Sequence, residues 1–247
     1  MESEKSHALP CVIIAAGQGT RLRSVAASKP LAQISGAPLI EHIIRRAAAG
    51  GAGRFVVVTG YEAEGIETFL AGLAERSGIA IEAVRNPEWH RPNGLSVLAA
   101  AERLEGEFIL LMSDHLFDPQ ILRRILDGRR PEAALTLGAD FDATRPDLDL
   151  DDATKLKLEG DRIVGIAKSL EDYDAVDTGI FIAGPALLEA LRESVAAGES
   201  GSLSEGVQVL ARAGTAFIHD IGDGWWLDVD DEPAFRRAER ELPPISA

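Results

Sequence analysis

Short apolar runs that alternate with longer stretches of helical periodicity limit this chain to a βαβ architecture. Residues 10–16 read as a buried first strand, and residues 39–49 then place apolar side chains at helical spacing up to Gly50-Gly51. Residues 54–59 form a β-branched second strand, 62–76 a helix closed by Ser77-Gly78, and 79–84 a third strand. Residues 95–104 are Ala-rich and helical, and 108–112 are a continuous apolar fourth strand. Residues 119–126 form a helix with Asp118 as N-cap and proline in its first turn, and 133–137 a fifth strand. The rhythm then changes. Residues 140–152 hold six aspartates and one arginine, a pattern that predicts a solvated surface loop. Residues 155–159 and 162–168 alternate apolar and polar about Gly160-Asp161, a hairpin signal. A strand over 179–183, helices over 185–197 and 202–213, and a closing helix over 232–241 complete the pattern. With no internal repeat and no low-complexity linker, the expectation is one α/β domain: a mixed, mainly parallel sheet with flanking helices.

The first strand runs straight into Ala15-Ala16-Gly17-Gln18-Gly19-Thr20-Arg21-Leu22. In open α/β sheets ligands sit at the carboxyl ends of strands, so this turn lies where a site is expected. Small residues at 15, 16, 17 and 19 let backbone N–H groups come close to phosphate oxygens, and Arg21 and Lys29 add positive charge. Two familiar phosphate-binding fingerprints fail here. G-x-G-x-x-G needs glycine where Leu22 stands, and a P-loop needs Gly-Lys-Ser/Thr where Leu22-Arg23-Ser24 stands.

Charge fits a small anion rather than a polymer. The chain carries −15 overall, which excludes nucleic-acid binding by general attraction and argues against an anionic membrane surface. Residues 1–60 are nevertheless +4 and the remainder −19, so positive charge is concentrated around residues 21–29. Carboxylates supply the complementary signal. Asp114 follows the apolar fourth strand directly, at the same sheet edge as the glycine loop, and Asp228 and Asp230 stand two apart on an extended segment. Mg²⁺ takes one or two carboxylates plus phosphate oxygens and water, so Asp114 and Asp228 are the expected metal ligands. Asp231 and Glu232 read better as helix N-terminal charge.

Other chemistries find little support. The five histidines (7, 42, 90, 115 and 219) show no zinc spacing, no Gly-x-Ser-x-Gly occurs, and Cys11 opens a buried strand as a packing residue. A single cysteine forbids an intramolecular disulfide, and the first nine residues lack an apolar signal core; a cytoplasmic setting is expected. No apolar stretch approaches the ~20 residues of a membrane helix, so no direct membrane insertion is expected. Helix faces rich in Leu and Ala would serve a homodimer interface as readily as a core.

The set A-A-G-x-G-T-R-L, Lys29-Pro30-Leu31 and Gly36-x-Pro38-Leu39-Ile40-Glu41-His42 resembles the nucleoside-triphosphate transferases that activate sugar 1-phosphates. Later stretches narrow the likeness to inositol-1-phosphate cytidylyltransferases. They are Pro92-Asn93-Gly94-Leu95-Ser96, Met112-Ser113-Asp114-His115, Ala153-Thr154-Lys155-Leu156-Lys157, Lys168-Ser169-Leu170, Val176-Asp177-Thr178-Gly179 and Leu203-Ser204-Glu205. The likeness covers about residues 10–240; Ser113 stands where that family more often has glycine. It implies a Rossmann-like fold of nucleotide-diphospho-sugar transferase type, with a nucleotide-binding part over about 10–140. A small acceptor-binding lobe would follow over about 141–222, and 223–247 would return to the core. In that family the domain is often fused to a membrane phosphotransferase; a chain ending at Ala247 is expected to be a stand-alone enzyme or a separately expressed domain.

The resemblance implies Mg²⁺-dependent transfer of CMP from CTP to a small phosphorylated alcohol, inositol 1-phosphate, with release of pyrophosphate. Backbone at Ala15, Ala16, Gly17, Gly19 and Thr20, with Arg21, would hold the leaving pyrophosphate, and Lys29 would neutralise charge on the α-phosphate. Asn93, Gly94 and Ser96 would read the base, while Lys155, Lys168, Asp177 and Thr178 would face the acceptor. Phosphocholine, a phosphonate or a hexose 1-phosphate are alternative acceptors. A non-catalytic nucleotide-binding module, and a glycosyltransferase using Asp228-x-Asp230, are the competing readings outside this class.

Overall fold

The first apolar run becomes the middle of a sheet. The computed structural model describes residues 8–245 except 24, 143, 146 and 147, so the polar residues 1–7, the chain's last two residues and part of the Asp-rich stretch lie outside the described residues. Strand β1 (Cys11–Ala15) is buried at every position. Two short strands, β2 (Gln33–Ile34) and β3 (Ala37–Pro38), pair antiparallel and lead into α1 (Leu39–Ala49). There follow β4 (Phe55–Thr59), α2 (Ala63–Ser77), β5 (Ile81–Arg85), α3 (Gly94–Ala99) and β6 (Phe108–Met112). Next come β7 (His115–Phe117), α4 (Pro119–Gly128), β8 (Leu135–Asp140) and the hairpin β9 (Lys155–Glu159) with β10 (Arg162–Ala167). The chain continues through β11 (Ala175–Ala183), α5 (Pro185–Ala196), α6 (Leu203–Arg212), β12 (Ala216–Asp220), β13 (Trp226–Asp228) and α7 (Glu232–Glu241).

The main sheet has the order β5-β4-β1-β6-β11-β8-β12-β10-β9. Its first four strands are parallel, as are β8 and β12, while β11 lies antiparallel to both β6 and β8. Helices cover both faces, which is why the parallel strands read as uninterrupted apolar runs. Cys11, Ile13 and Ala15 pack with α1 and α2 residues such as Ile43 and Ile66, while Val12 and Ile14 face Val97 of α3 and Val207 of α6. The strand period of two thus feeds two separate cores.

Differences from the expected elements have local causes. The helix expected over 95–104 ends at Ala99 and continues as a 3-10 turn over Ala101–Arg103. The strand expected over 179–183 begins at Ala175, because its first half pairs with β8 and β9. Strands β7 and β13 hold three residues each, too few for any periodicity to show. Their pairing sets His115 opposite Asp228 and so builds part of the site.

The Asp-rich stretch is largely exposed among its described residues, as its composition predicts, but its first residue is buried and anchors it. Asp140 is 2% exposed, and its Oδ2 accepts from Trp226 Nε1 at 2.7 Å and from Arg145 Nη1 at 2.9 Å. Arg145 also donates to the Trp226 carbonyl at 2.7 Å, so the stretch is bolted to β13. An Asp140→Ala change removes the acceptor both donors share, and breaking such a buried pair costs about 3 kcal/mol. The expected result is a melting temperature lower by roughly 6–12 °C, read by thermal denaturation; an unchanged Tm would show that this bolt carries no stability.

Candidate active site

The loop after β1 closes on Lys29. Gly19 has φ 57°, and a Cβ there would lie 2.5 Å from Lys29 Cβ, so only glycine lets the loop rest on the lysine stem. Lys29 opens a 3-10 turn (Lys29–Leu31) and is 6% exposed. Above this contact lies a cavity of about 350 Å³, walled by the loop, Lys29, Trp89, Arg91 and Asn93 among others. A second cavity of about 360 Å³ adjoins it, with Asp149, Asp152, Lys168, Asp177, His115 and Asp228 in its wall. Arg21, Asn93, Met112, Asp114 and Asp230 border both. Two chambers therefore meet at one charged partition.

That partition is an ion-pair network. Lys29 Nζ donates to Asp114 Oδ2 at 2.8 Å and also reaches Asp230. Arg21 joins Asp230 to Asp152, and Asp152 in turn pairs with Lys168. Burial would raise the Asp114 pKa, but the charges of Lys29 and His115 outweigh it and bring it down to about 2. Asp114 is therefore an anion at neutral pH.

His115 sits between two carboxylates, its Nε2 3.7 Å from Asp114 and 3.6 Å from Asp228. Burial disfavours its cation, yet Asp228 and Asp114 together hold its pKa above the ordinary histidine value. Its Nδ1 lies 2.7 Å from the Thr178 carbonyl, which only accepts, so Nδ1 carries a proton and donates. Gly179, at φ 74°, makes room: a Cβ there would be 2.4 Å from His115 Nδ1. Asp177 is pushed up to about 6 by burial, against the pull of the Gly179 N–H, which donates to its Oδ1 at 2.6 Å.

The residues present fit a divalent cation. One ligand atom each from Asp114, His115 and Asp228 lies within 4.8 Å of the others. Asp228 Oδ1 is buried with no hydrogen-bond partner, and burial and the like charge of Asp114 raise its pKa. An orphaned carboxylate oxygen beside a second carboxylate is a donor set for a hard ion such as Mg²⁺.

Most residues singled out in the sequence meet here, though not all. Ala16, Gly17, Gly19, Thr20, Arg21, Lys29, Asn93, Ser96 and Asp114 border the first chamber, and Lys168, Asp177 and Asp228 border the second. Ala15 lies within β1, in the core. Gly94 borders neither chamber: a Cβ there would be 2.5 Å from the Gly201 carbonyl oxygen, so its smallness serves packing of α3 on the α5–α6 turn. Lys155 borders neither chamber: it donates to the Lys168 carbonyl at 2.8 Å and lies over the Tyr173 ring. Thr178 is fully buried and donates to the Gly138 carbonyl at 2.8 Å; its carbonyl, not its hydroxyl, serves the site.

Sequence reasoning gave no site role to His115, Asp152, Trp89 or Arg91, and named Asp230 only as the neighbour of Asp228. Asp230 was visible two residues after Asp228, beside Asp231, which does cap α7 by accepting from Ala234 N at 2.8 Å. His115 adjoined Asp114 in the sequence, and nothing but the β7–β13 pairing shows that it faces Asp228.

A family model described as the MobA-like NTP transferase domain matches residues 11–213. The bifunctional IPC transferase and DIPP synthase of Rubrobacter xylanophilus is 37% identical over 92% of this chain and 50% of that protein. The protein of the same description from Thermococcus kodakarensis is 32% identical over 94% of this chain and 50% of its own length. The chain thus spans about half the length of these curated relatives. Among solved structures, the inositol-1-phosphate CTP transferase from T. maritima superposes with a TM-score of 0.84 at 24% identity, over 98% of this chain and 99% of that one. That likeness is one of fold.

Proposed function

The chain belongs to the MobA-like NTP transferase family, and on that premise we propose that it transfers CMP from CTP to a small phosphorylated alcohol, inositol 1-phosphate, releasing pyrophosphate. The supporting observation is the pair of adjoining chambers that share Arg21, Asp114 and Asp230, with Lys29 at their junction. One chamber lies over the glycine loop and suits a nucleotide; the other suits an acceptor. The division of the chain follows, with residues from about 10–140 around the nucleotide, 141–222 around the acceptor, and Asp228 and Asp230 of the returning segment between them.

The acceptor phosphate is already ionised, so the reaction needs alignment and charge stabilisation more than a base. Lys29 neutralises negative charge that builds on the α-phosphate, and Arg21 with the backbone of residues 16–19 holds the departing pyrophosphate. Asp114 and Asp228 would hold Mg²⁺, which when bound supplies Lewis-acid neutralisation of phosphate charge. Lys168 faces the acceptor phosphate. Asp149 and Asp177 border the acceptor chamber, where carboxylates suit a polyol by accepting from its hydroxyls. A choline head group would instead call for an aromatic cage, whereas Trp226 is the one aromatic residue in that chamber's described wall.

The test is pyrophosphate release from each of the four NTPs, paired in turn with inositol 1-phosphate, phosphocholine, an aminoalkyl phosphonate and glucose 1-phosphate. CTP with inositol 1-phosphate is the expected productive pair. Turnover with another pair alone overturns the substrate assignment, and no turnover with any pair returns the non-catalytic module. Among the described residues, no helix is long and apolar enough to cross a membrane.

A further inference from the structure

We propose that Arg91 selects the nucleobase, donating to the two adjacent acceptors of cytosine while Trp89 packs against the ring; this rests on the cytidylyl reading above. The groups the sequence pointed to are committed elsewhere. Gly94 borders neither chamber, Ser96 Oγ accepts from Asn86 Nδ2 at 3.0 Å, and the Asn93 amide oxygen accepts from Leu203 N at 2.9 Å. Asn93 is left with N–H groups to offer and Ser96 with its hydroxyl proton. Arg91, which has donors only, stands in the same wall.

The turn that presents Arg91 is braced. Asn86 is 4% exposed, and its Oδ1 accepts from Glu88 N at 2.9 Å. Arg91 N donates to the Glu88 carbonyl at 2.9 Å, and Arg91 Nη1 donates to Glu88 Oε1 at 2.8 Å, which orients the guanidinium and leaves other N–H groups for a ligand. Trp89 is set just as firmly. At Gly60 a Cβ would lie 2.3 Å from Trp89 Cβ and 2.8 Å from the Ala16 carbonyl oxygen, so the tryptophan lies beside the phosphate loop through a contact only glycine allows. Its ring meets Tyr61 edge-on with centroids 5.4 Å apart.

A wall made of donors discriminates between pyrimidines. Cytosine offers N3 and O2 as neighbouring acceptors, whereas uracil turns an N3–H toward the same place and leaves a donor facing a donor. An unpaired polar group at a hydrogen-bonding site is what gives such selection its strength. Guanine also has two adjacent acceptors, O6 and N7, so GTP belongs in the comparison.

The experiment measures kcat/KM for CTP, UTP and GTP with saturating acceptor, in the wild-type chain and in Arg91→Gln, with a thermal melt of both. Glutamine can satisfy either pyrimidine, so the CTP/UTP ratio should fall by about tenfold to a hundredfold, with the change in KM for CTP rather than in kcat and with Tm unmoved. A CTP-preferring wild type whose ratio survives R91Q overturns the Arg91 assignment and leaves the cytidylyl reading standing. A wild type that prefers UTP or GTP overturns the cytidylyl reading, and this assignment falls with it.

Discussion

A Lys29→Met enzyme should remain folded and lose about three orders of magnitude in kcat, the scale seen when a preorganised charge at a developing anion is removed. Methionine keeps the length and apolar body of the lysine stem, so the packing against Gly19 survives. What disappears is an ammonium that is 7% exposed as a side chain and is held 2.8 Å from Asp114. Water screens so enclosed a charge poorly, and its field acts on any phosphate placed between the two chambers. If Lys29 were only a structural partner of Asp114 and Asp230, the variant would melt lower and keep its kcat. A catalytic role adds a collapse of kcat to whatever stability the lost ion pairs cost, while KM for CTP moves only a few-fold because Arg21 and the loop backbone remain. Acid stability supplies a second readout. The depressed Asp114 pKa contributes stability above the unfolded carboxylate value, and that contribution is lost as pH falls toward about 2. Lys29→Met should therefore flatten the acid limb of the stability curve.

The sequence was legible wherever burial alone decides residue choice. Strands β1, β4 and β6 are covered on both faces, so they stand out as unbroken apolar runs, and Gly160 marks its hairpin because its φ of 64° suits glycine. Asp114 was legible for the same reason, being the first carboxylate after such a run. Residues whose role depends on a distant partner were not. Asp152 has the composition of a solvated loop until Arg21, 131 positions away, is placed on it. Asp140 and Trp226 are 86 positions apart, and their hydrogen bond turns an acidic surface stretch into a wall of the site. The Pro92–Ser96 motif pointed to a loop that borders the first chamber, but gave no sign that the Asn93 oxygen is used by Leu203 N, 110 positions later. Periodicity reports a residue's own burial; it carries nothing about which far segment supplies its hydrogen-bond partner.

The strong excess of acid makes metal removal the other large effect. Among the described residues, the wall of the second chamber holds seven aspartates (114, 149, 152, 177, 228, 230 and 231) against Arg21, Arg145 and Lys168. These cations already have carboxylate partners: Arg21 holds Asp152 and Asp230, Lys168 holds Asp152, and Arg145 holds Asp140. Lys29 is engaged likewise, by Asp114 and Asp230. A triphosphate entering without a metal has to displace carboxylates from each of these groups while Asp114, a firm anion, stays beside it. The chain's −15 adds a long-range repulsion of the same sign. Two unit charges at ~4 Å in an effective dielectric of ~20 interact by ~4 kcal/mol, so a divalent ion between carboxylate and phosphate is worth more than that. CTP affinity measured by calorimetry should accordingly fall by at least ~100-fold in EDTA and return when Mg²⁺ is restored. Asp228→Asn separates a bound metal from general screening. It halves the carboxylate pair at the orphaned Oδ1 position, so it should raise the Mg²⁺ needed for half-maximal CTP binding while other salts fail to substitute. Tight CTP binding in EDTA would overturn the metal requirement. Equal rescue by monovalent salt would assign the effect to the diffuse charge of the surface and remove Asp114 and Asp228 from the metal's ligands.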